Sequence, residues 1–241
     1  MPSATTTTTT ADHIDSSQFD SIPDTIEAFR KGEFVVILDD PSRENEADLI
    51  IAAESITPQQ MAFLIRHSSG LICAPILPDR CLSLDLPQMV THNQDLRTTA
   101  YTISIDSSDP SVTTGISAHD RALVCRQLAD PASTPETFRR PGHVFPLRAR
   151  EGGVRDRRGH TEAAIDLCRL AGKKLAGVIS ELVEDGIEVE GRAVREEPGM
   201  MRGQACVDFA RRWGLKVATI ADMVEYLEKT EGKLKGVNGS Q

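Results

Sequence analysis

Residues 34–53 read FVVILDDPSRENEADLIIAA, and this stretch decides the fold. Its two apolar runs, at 34–38 and 49–53, are typical of buried strands. The residues between the runs are polar, which predicts a connection at the surface. The rest of the chain is interpreted outward from this pair of strands.

The connection carries three carboxylates at alternate positions, Glu44, Glu46 and Asp48. If the segment is extended, these three side chains share one face, and Arg43 and Asn45 point the other way. Neighbouring carboxylates repel one another unless a cation or a proton lies among them. Hard divalent cations such as Mg²⁺ and Mn²⁺ prefer carboxylate oxygens. The segment is therefore either part of a metal site or a solvated hairpin loop.

Helix and strand patterns continue on both sides of this stretch. Hydrophobic spacing, caps and breakers predict helices at 22–31, 57–70, 78–86, 117–128, 161–171, 201–213 and 220–230. Strands are predicted at 34–38, 49–53, 71–76, 99–105, 144–147, 175–183 and 216–218, with polar loops at 87–98, 130–142 and 148–159. The chain shows no internal repeat and no long linker. We therefore expect an α+β fold, a single domain with a mixed β-sheet flanked by helices.

The two ends differ in composition from this domain. Residues 1–20 are Thr-rich and polar, so we expect a disordered tail before a domain at 21–231. Residues 232–241 are expected to form a flexible C-terminal tail. The N-terminal segment lacks the apolar core of a secretory signal and has no Lys or Arg before Arg30. These features predict a cytoplasmic protein.

Charge and cysteine content exclude several classes of function. The 241 residues carry a formal net charge of -9, which disfavours non-specific binding to nucleic acid. No apolar run reaches the roughly 20 residues that cross a bilayer. The five cysteines are odd in number and scattered, so we expect reduced thiols instead of a disulfide framework or a zinc site. The sequence therefore predicts neither a nucleic-acid partner nor a membrane partner.

A second polar cluster lies at 157–162, where a loop leads into a predicted helix. A helix N-terminus offers free N–H groups and a positive dipole end, so it receives anions well. Gly159 allows close approach of the backbone, while Arg157 or Arg158 adds a guanidinium and Thr161 a hydroxyl. The cluster is either a phosphate site or a solvated basic loop. The imidazole of His160 would complement the carboxylates as a metal ligand.

Four motifs now stand in a recognisable order. They are RENE-x-D at 43–48, TTGISA-x-DR at 113–121, PGHVFPL at 141–147 and R-x-GHTEA at 157–163. With them the chain resembles the 3,4-dihydroxy-2-butanone 4-phosphate synthase family of the riboflavin pathway. The resemblance runs from about residue 22 to residue 226, and the motifs are in register.

The resemblance implies a lyase that converts D-ribulose 5-phosphate to L-3,4-dihydroxybutan-2-one 4-phosphate and formate. It implies Mg²⁺ or Mn²⁺, two ions per subunit, and a homodimer. The metal ligands it implies are Glu44 and His160. The substrate-binding residues it implies are Arg43, Asp48, Thr113, Arg157, Arg158, Gly159, Thr161 and Glu181, and the catalytic residues are His143, Glu181, Glu46 and Asp48.

The chemistry explains why such groups are needed. A proton beside the ketone must leave to form an enediol, and several further proton transfers follow, which need positioned acids and bases. The residues alone do not assign each transfer to one carboxylate, choose between the two metals, or decide whether Cys73 has a chemical or a packing role. His143 follows the proline-rich loop 130–142, which has little apolar content. We therefore infer that this loop crosses to a partner subunit and that each site is shared.

Two other classes of function use similar residues. A metal-dependent phosphohydrolase also needs carboxylates, a histidine and a phosphate cradle, and it would release inorganic phosphate instead of formate. A non-catalytic module that binds sugar phosphates or RNA would use the Arg-rich loop at 148–159. The net charge disfavours RNA, and a binding module has no need of three clustered carboxylates.

Overall fold

The computed structural model describes residues 14–234, and the two apolar runs form neighbouring interior strands of its main sheet. The helices are α1 (Ile22–Arg30), α2 (Pro58–Arg66), α3 (Pro78–Ser83), α4 (Ala118–Ala129), α5 (His160–Leu170), α6 (Gln204–Arg212) and α7 (Ile220–Glu231). The strands are β1 (Val35–Leu38), β2 (Ala47–Ala52), β3 (Cys73–Ile76), β4 (Ile105–Ser107), β5 (Phe138–Arg148), β6 (Gly177–Glu181), β7 (Val183–Glu184), β8 (Ile187–Glu188), β9 (Arg195–Glu196), β10 (Gly199–Met200) and β11 (Lys216–Thr219).

Seven strands form one mixed sheet in the order β11-β1-β2-β6-β3-β5-β4. The β11–β1 and β3–β5 pairs are parallel, and the other neighbours are antiparallel. Alternate side chains of the strands enter two separate cores. Val36 and Leu49 pack with α2, α4 and α6 on one face, whereas Ile37 and Ile50 pack with α1, α5 and α7 on the other. The predicted α+β domain with a mixed sheet flanked by helices is confirmed.

The register of the sheet places two carboxylates side by side. Asp48 of β2 lies directly opposite Glu181 of β6. Asp48 has the same strand parity as Ile50, and Glu181 has the same parity as Ile179, so both face the layer that contains α5. The sheet therefore directs both carboxylates toward the N-terminus of α5.

The edge of the sheet contains a large bulge. Val144 of β5 pairs with Ile105, but Arg139 pairs with the very next residue, Asp106. Four residues of β5, at 140–143, therefore stand out from the ladder between these two pairs. His143 is one of them, and the bulge decides its position.

Several predicted boundaries are wrong. The strand predicted at 99–105 contributes only Ile105 to β4, because Tyr101 and Thr102 make isolated bridges to two different segments. The loop predicted at 130–142 ends early, since β5 begins at Phe138, whose side chain is buried. The helix predicted at 57–70 ends at Arg66, and β2 begins at Ala47 instead of residue 49. The short strands β7 to β10 were not predicted.

The predicted tails overlap the described residues only in part. Residues 14–20, placed in the N-terminal tail, pack against the domain: Asp20 binds Arg211 at 2.6 Å and Lys216 at 2.8 Å. Near the other end, Arg155 donates to the carbonyl of Gly232. The predictions for residues 1–13 and 235–241 fall outside the described residues. Among residues 14–234, no helix is both long and apolar enough to cross a membrane.

Candidate active site

A cleft of about 70 Å³ opens where β2 begins and β6 ends, beside the N-terminus of α5. Seven predicted site residues line it, namely Arg43, Glu44, Asp48, Arg157, His160, Thr161 and Glu181. The sequence motifs at 43–48 and 157–163 therefore meet in space, as predicted. The other lining residues are Ser69, Leu71, Cys73, Thr99, Tyr101, Leu147, Ile179 and Ser180.

The acidic segment is not extended, so the predicted alternation of its side chains is wrong. A turn covers residues 41–44, and Asn45 has a φ of 56° in the left-handed region. Arg43 consequently faces the cleft together with Glu44 and Asp48. Glu46 instead binds Arg202 at 2.7 Å and is not among the residues that line the cleft. Only two of the three carboxylates share the cleft.

Asp48 and Glu181, which face each other, both have raised pKa values. Burial, followed by the charges of Glu181, Glu44 and Asp39, raises the pKa of Asp48 well above its ordinary value. Burial and then the charges of Glu46 and Glu44 raise the pKa of Glu181. Like charges on directly opposed strand positions repel, and a low-polarity surrounding favours the protonated form. This pair can therefore accept and release protons at a higher pH than ordinary carboxyl groups.

Glu44 is held between two arginines. The guanidinium of Arg43 binds both Glu44 and Asp39, the latter at 2.6 Å. Arg97 approaches from the loop at 87–98, with its Nε 3.2 Å from Glu44 Oε1, and it also donates to the carbonyl of Arg43. These contacts pair the carboxylate of Glu44 with two guanidinium groups and tie the loop at 87–98 to the acidic segment.

His160 is the first residue of α5, and its ring is buried. Burial, followed by the positive charge of Arg43, lowers its pKa to about 4, so the ring is neutral near neutral pH. Within residues 14–234 its Nε2 atom has no hydrogen-bond partner, and the same is true of Asp48 Oδ1. The two side chains are close, with His160 Nδ1 3.6 Å from Asp48 Oδ1. Two buried polar atoms thus lack partners in one cleft.

The predicted phosphate cluster surrounds the start of α5. Arg157 binds Glu162 at 2.6 Å and Thr99 Oγ1 at 3.1 Å, so its guanidinium is fixed at the cleft wall. A Cβ atom at Gly159 would lie 2.4 Å from Arg157 Nη1, so only glycine leaves room for this arrangement. No side chain of the described residues caps α5. Arg158 is exposed and is not among the residues that line the cleft.

A larger cleft of about 530 Å³ adjoins the first and shares Arg157 and Thr161 with it. Its wall adds the guanidinium groups of Arg148 and Arg150. The two clefts meet at the N-terminus of α5. The same wall also carries Glu151, Asp156 and Glu162, so its charges are of both signs, and the N-terminus of α5 is the feature that favours an anion at that point.

Two predicted site residues lie elsewhere on the same chain. Thr113 donates through its hydroxyl to Asp120 Oδ2 at 3.0 Å. His143 contacts Asp106, with Nδ1 2.8 Å from Asp106 Oδ2. Neither Thr113 nor His143 lines the cleft. Gly115 connects the two, since a Cβ atom there would lie 2.1 Å from Asp106 Oδ2. The motifs at 113–121 and 141–147 thus form a second polar cluster.

Some cleft residues were missed by the sequence interpretation. Thr99 and Tyr101 lie in the segment predicted as a regular strand, and Arg97 lies in a predicted loop without a recognisable motif. Cys73 was considered, and its thiol is buried beside Tyr101, with a pKa that burial raises. Such a thiol is a poor nucleophile, which favours a packing role. All five cysteines are free and buried.

With the geometry established, comparisons with known proteins become informative. A family model described as 3,4-dihydroxy-2-butanone 4-phosphate synthase matches residues 23–226. The enzyme of that name from Pyricularia oryzae is 71% identical over 95% of this chain and 98% of its own length. The Saccharomyces cerevisiae enzyme of that name is 46% identical over 88% of this chain and 100% of its own length.

Solved structures give the same result. The crystal structure of a 3,4-dihydroxy-2-butanone 4-phosphate synthase in complex with two magnesium ions matches with a TM-score of 0.88 at 73% identity. The match covers 90% of this chain and 100% of that one. A cation-free form matches with a TM-score of 0.85 at 70% identity, over 89% of this chain and 100% of that one. The chain therefore belongs to the 3,4-dihydroxy-2-butanone 4-phosphate synthase family, and it is an enzyme of riboflavin biosynthesis.

Proposed function

We propose that this enzyme converts D-ribulose 5-phosphate to L-3,4-dihydroxybutan-2-one 4-phosphate and formate. The observation that carries the proposal is the cleft in which Asp48 faces Glu181 beside the neutral ring of His160. Carboxyl groups with raised pKa values are suited to proton transfer near neutral pH. The substrate must lose and gain several protons, so such a pair matches the reaction.

The phosphate is proposed to bind at the start of α5. Backbone N–H groups of the first helical turn, the hydroxyl of Thr161 and the guanidinium of Arg157 converge there. Three donors of Arg157 already bind Glu162, Thr99 and the carbonyl of Arg97, so this arginine is preorganised and contributes its remaining N–H groups and its charge. Gly159 keeps the approach open. Arg158 contributes long-range positive charge from the surface.

The cleft also fits a divalent cation. The neutral ring of His160 makes a hydrogen bond to the backbone of Ile37, and since Nε2 has no partner this bond is made by Nδ1–H, which leaves the lone pair on Nε2. Glu44 supplies a carboxylate in the same cleft. Among residues 14–234, no three His, Cys, Asp or Glu side chains lie close enough together to hold a metal ion by themselves. Glu44 and His160 would hold Mg²⁺ or Mn²⁺, with substrate and water oxygens as further ligands. We propose two ions per subunit. When bound, the metal stabilises negative charge on substrate oxygens as a Lewis acid.

The remaining chemistry belongs to the side chains. Arg43, Asp48 and Glu181 bind the sugar hydroxyls, and Glu181 and Asp48 exchange protons with the carbons and oxygens beside the ketone. The enediol then loses the 1-hydroxyl as water, a carbon shift and a hydration follow, and the fourth carbon leaves as formate. Glu46 acts through its negative charge, which raises the pKa of Glu181. His143 supplies a further proton-transferring group.

The direct test is one-dimensional proton and ³¹P NMR of ribulose 5-phosphate with the protein and Mg²⁺, since the proton spectrum detects formate and the phosphorus spectrum detects inorganic phosphate. We expect a formate signal that grows with time and no inorganic phosphate. The matched Glu181→Gln protein, purified in the same way, should give no formate, which excludes a contaminating enzyme. Release of phosphate without formate would refute the proposal and would indicate a phosphohydrolase.

The metal ligands have a test that does not depend on turnover. Manganese titration followed by electron paramagnetic resonance measures free Mn²⁺ directly. His160→Ala should weaken Mn²⁺ binding, whereas His119→Ala, which changes an exposed histidine, should leave it unchanged. A folded His160→Ala protein that binds Mn²⁺ as tightly as the parent would exclude His160 as a ligand.

We further propose a cytoplasmic homodimer in which each site is shared. Thr113 and His143 lie in the second polar cluster and not in the cleft of their own chain, so a partner must deliver them. Mixing inactive Glu44→Ala and His143→Ala proteins with random subunit exchange makes half the dimers mixed. One of the two sites in each mixed dimer is then intact, so roughly a quarter of the parent activity should return. A mixture that exchanges subunits and stays inactive would contradict sharing.

A further inference from the structure

Asp106 holds His143 through two hydrogen bonds at the edge of the sheet. Its Oδ1 accepts from the backbone N–H of His143 at 2.9 Å, and its Oδ2 lies 2.8 Å from the ring Nδ1. Asp106 is only 8% exposed, while 41% of the His143 side chain is accessible. A buried carboxylate thus fixes an accessible imidazole.

The bulge at 140–143 explains why this contact is built so closely. Gly142 presses against the backbone of the opposite strand, where a Cβ atom would lie 2.0 Å from the carbonyl carbon of Ile105. Its N–H donates to Ser104 Oγ at 3.1 Å. Since the bulged residues have left the ladder, the side chains of Ser104 and Asp106 satisfy the N–H groups of Gly142 and His143. The backbone at His143 is therefore held in place by contacts that do not involve its ring.

The carboxylate also selects the tautomer of the ring. An ionised carboxylate only accepts hydrogen bonds, so Nδ1 of His143 must carry the proton. The lone pair of the neutral ring then lies on Nε2. A histidine that takes a proton from substrate or returns one needs this arrangement.

A second loop holds Asp106 in place. Gly115 contacts the same carboxylate so closely that a Cβ atom would lie 2.1 Å from Oδ2. Asp120 binds this loop at the N–H groups of Thr113 and Gly115. The motif at 113–121 therefore packs closely against the Asp106 carboxylate.

We propose that Asp106 is a positioning residue for the reaction, which acts by fixing the orientation and the tautomer of His143. No motif of the sequence marks Asp106, and the inference rests on the proposed function because it needs His143 to take part in turnover. Asp106 does not line the cleft of its own chain. Its whole effect on the rate should therefore pass through His143.

The tautomer is measured without any reaction. Long-range ¹H–¹⁵N correlation spectra of the uniformly labelled parent protein distinguish the two neutral ring forms, and His143→Gln identifies the signal that belongs to His143. We expect the Nδ1–H form in the parent and a shift toward the Nε2–H form in Asp106→Asn, whose amide can donate to Nδ1. An Nε2–H ring in the parent would overturn the proposal, even if Asp106→Asn fails to fold.

Kinetics provides the second measurement. Asp106→Asn should lower kcat about 100-fold or more while KM changes less than about threefold, since the substrate contacts of the cleft are untouched. In a His143→Gln background the same change should have no further effect. The matched Asp109→Asn changes a partly exposed aspartate of the next turn, whose carboxylate binds Ser111 and not His143, and should keep parent activity. Equal rate losses from Asp106→Asn with and without His143 would show a structural role and overturn the proposal. A parent that makes no formate would refute the proposed function alone.

Discussion

Replacing Asp48 by asparagine should stabilise the metal-free protein, because this buried carboxylate lies opposite a second one. Asp48 and Glu181 lie directly opposite each other on antiparallel strands, and the Cβ atoms of such a pair are about 5 Å apart. Two negative charges at about 5 Å repel by about 3 kcal/mol at an effective dielectric constant of about 20. Glu181 is the last residue of β6 and lies partly exposed at the cleft, so solvent screening reduces this value. We expect the free energy of unfolding of Asp48→Asn to exceed that of the parent by about 1–2 kcal/mol at neutral to mildly alkaline pH.

The difference must depend on pH in a defined direction. The pKa of Asp48 is raised by burial and by neighbouring carboxylates, so the folded protein keeps this proton to a higher pH than the unfolded chain. The stability of the parent therefore falls as pH rises from the ordinary pKa of aspartate through the raised one. Asp48→Asn carries no such proton, and its stability should change less across that window.

Urea unfolding in the presence of EDTA, at mildly acidic and at mildly alkaline pH, measures both effects. The matched Asp185→Asn protein, which changes an exposed aspartate between β7 and β8, should unfold like the parent at each pH. Saturating Mg²⁺ should narrow the gap between Asp48→Asn and the parent, because a cation neutralises the repulsion. If Asp48→Asn is less stable than the parent at the alkaline pH, repulsion does not dominate at this position and the reasoning is refuted.

The remaining predictions concern the phosphate, a thiol and the loops. Arg157→Gln should weaken binding of ribulose 5-phosphate by about 1.5–3 kcal/mol in calorimetry, as expected for a charge-assisted hydrogen bond, and leave binding of ribulose unaffected. The matched Arg155→Gln, whose partner is Glu231, should bind both sugars normally. Equal losses of affinity of Arg157→Gln for the two sugars would contradict a role in phosphate binding. Burial raises the pKa of Cys125 from 9.0 to about 12, so the stability of the folded protein falls as pH rises above 9.0, where the unfolded chain loses this proton. Between pH 8 and pH 10 the free energy of unfolding, measured with urea, should therefore fall by about 1.4 kcal/mol less in Cys125→Ala than in the parent. An equal fall in both proteins would show that this thiol does not cause the pH dependence. Amide exchange at 42–47 and 148–159 should slow with substrate analogue plus Mg²⁺, and unchanged rates would argue against loop closure.

Much of the fold could be predicted because local patterns matched the final burial. The apolar runs at 34–38 and 49–53 became adjacent strands, and Ser117 caps α4 as its pattern predicted. The failures lie at the sheet edge. There β5 alternates between buried and exposed residues and contains a bulge, so its apolar content resembles that of a loop. A bulge is set by packing against the partner strand, which the sequence period does not encode.

The site was predictable where its residues are close in sequence. The motifs at 43–48 and 157–163 identified most of the charged groups of the cleft. Residues that reach the site through distant contacts gave no local signal. Arg97 meets a residue 54 positions away, and Asp106 meets one 37 positions away. The predicted alternation of the carboxylates failed because the left-handed backbone of Asn45 turns the chain between Glu44 and Glu46.

The charges that remain uncompensated in the cleft indicate what a ligand must supply. Arg43 is paired with Asp39 and Arg157 with Glu162, so neither guanidinium is buried without a counter-charge. Among the cleft atoms of residues 14–234, Asp48 Oδ1 and His160 Nε2 are the two buried polar atoms that have no hydrogen-bond partner. A buried polar atom without a partner costs about 1–3 kcal/mol, and a chain selected for stability alone would remove both. An electron-pair donor on a neutral ring beside a crowded carboxylate is instead what a cation and an acidic substrate proton require, so the cost at these two atoms follows from the chemistry of the site.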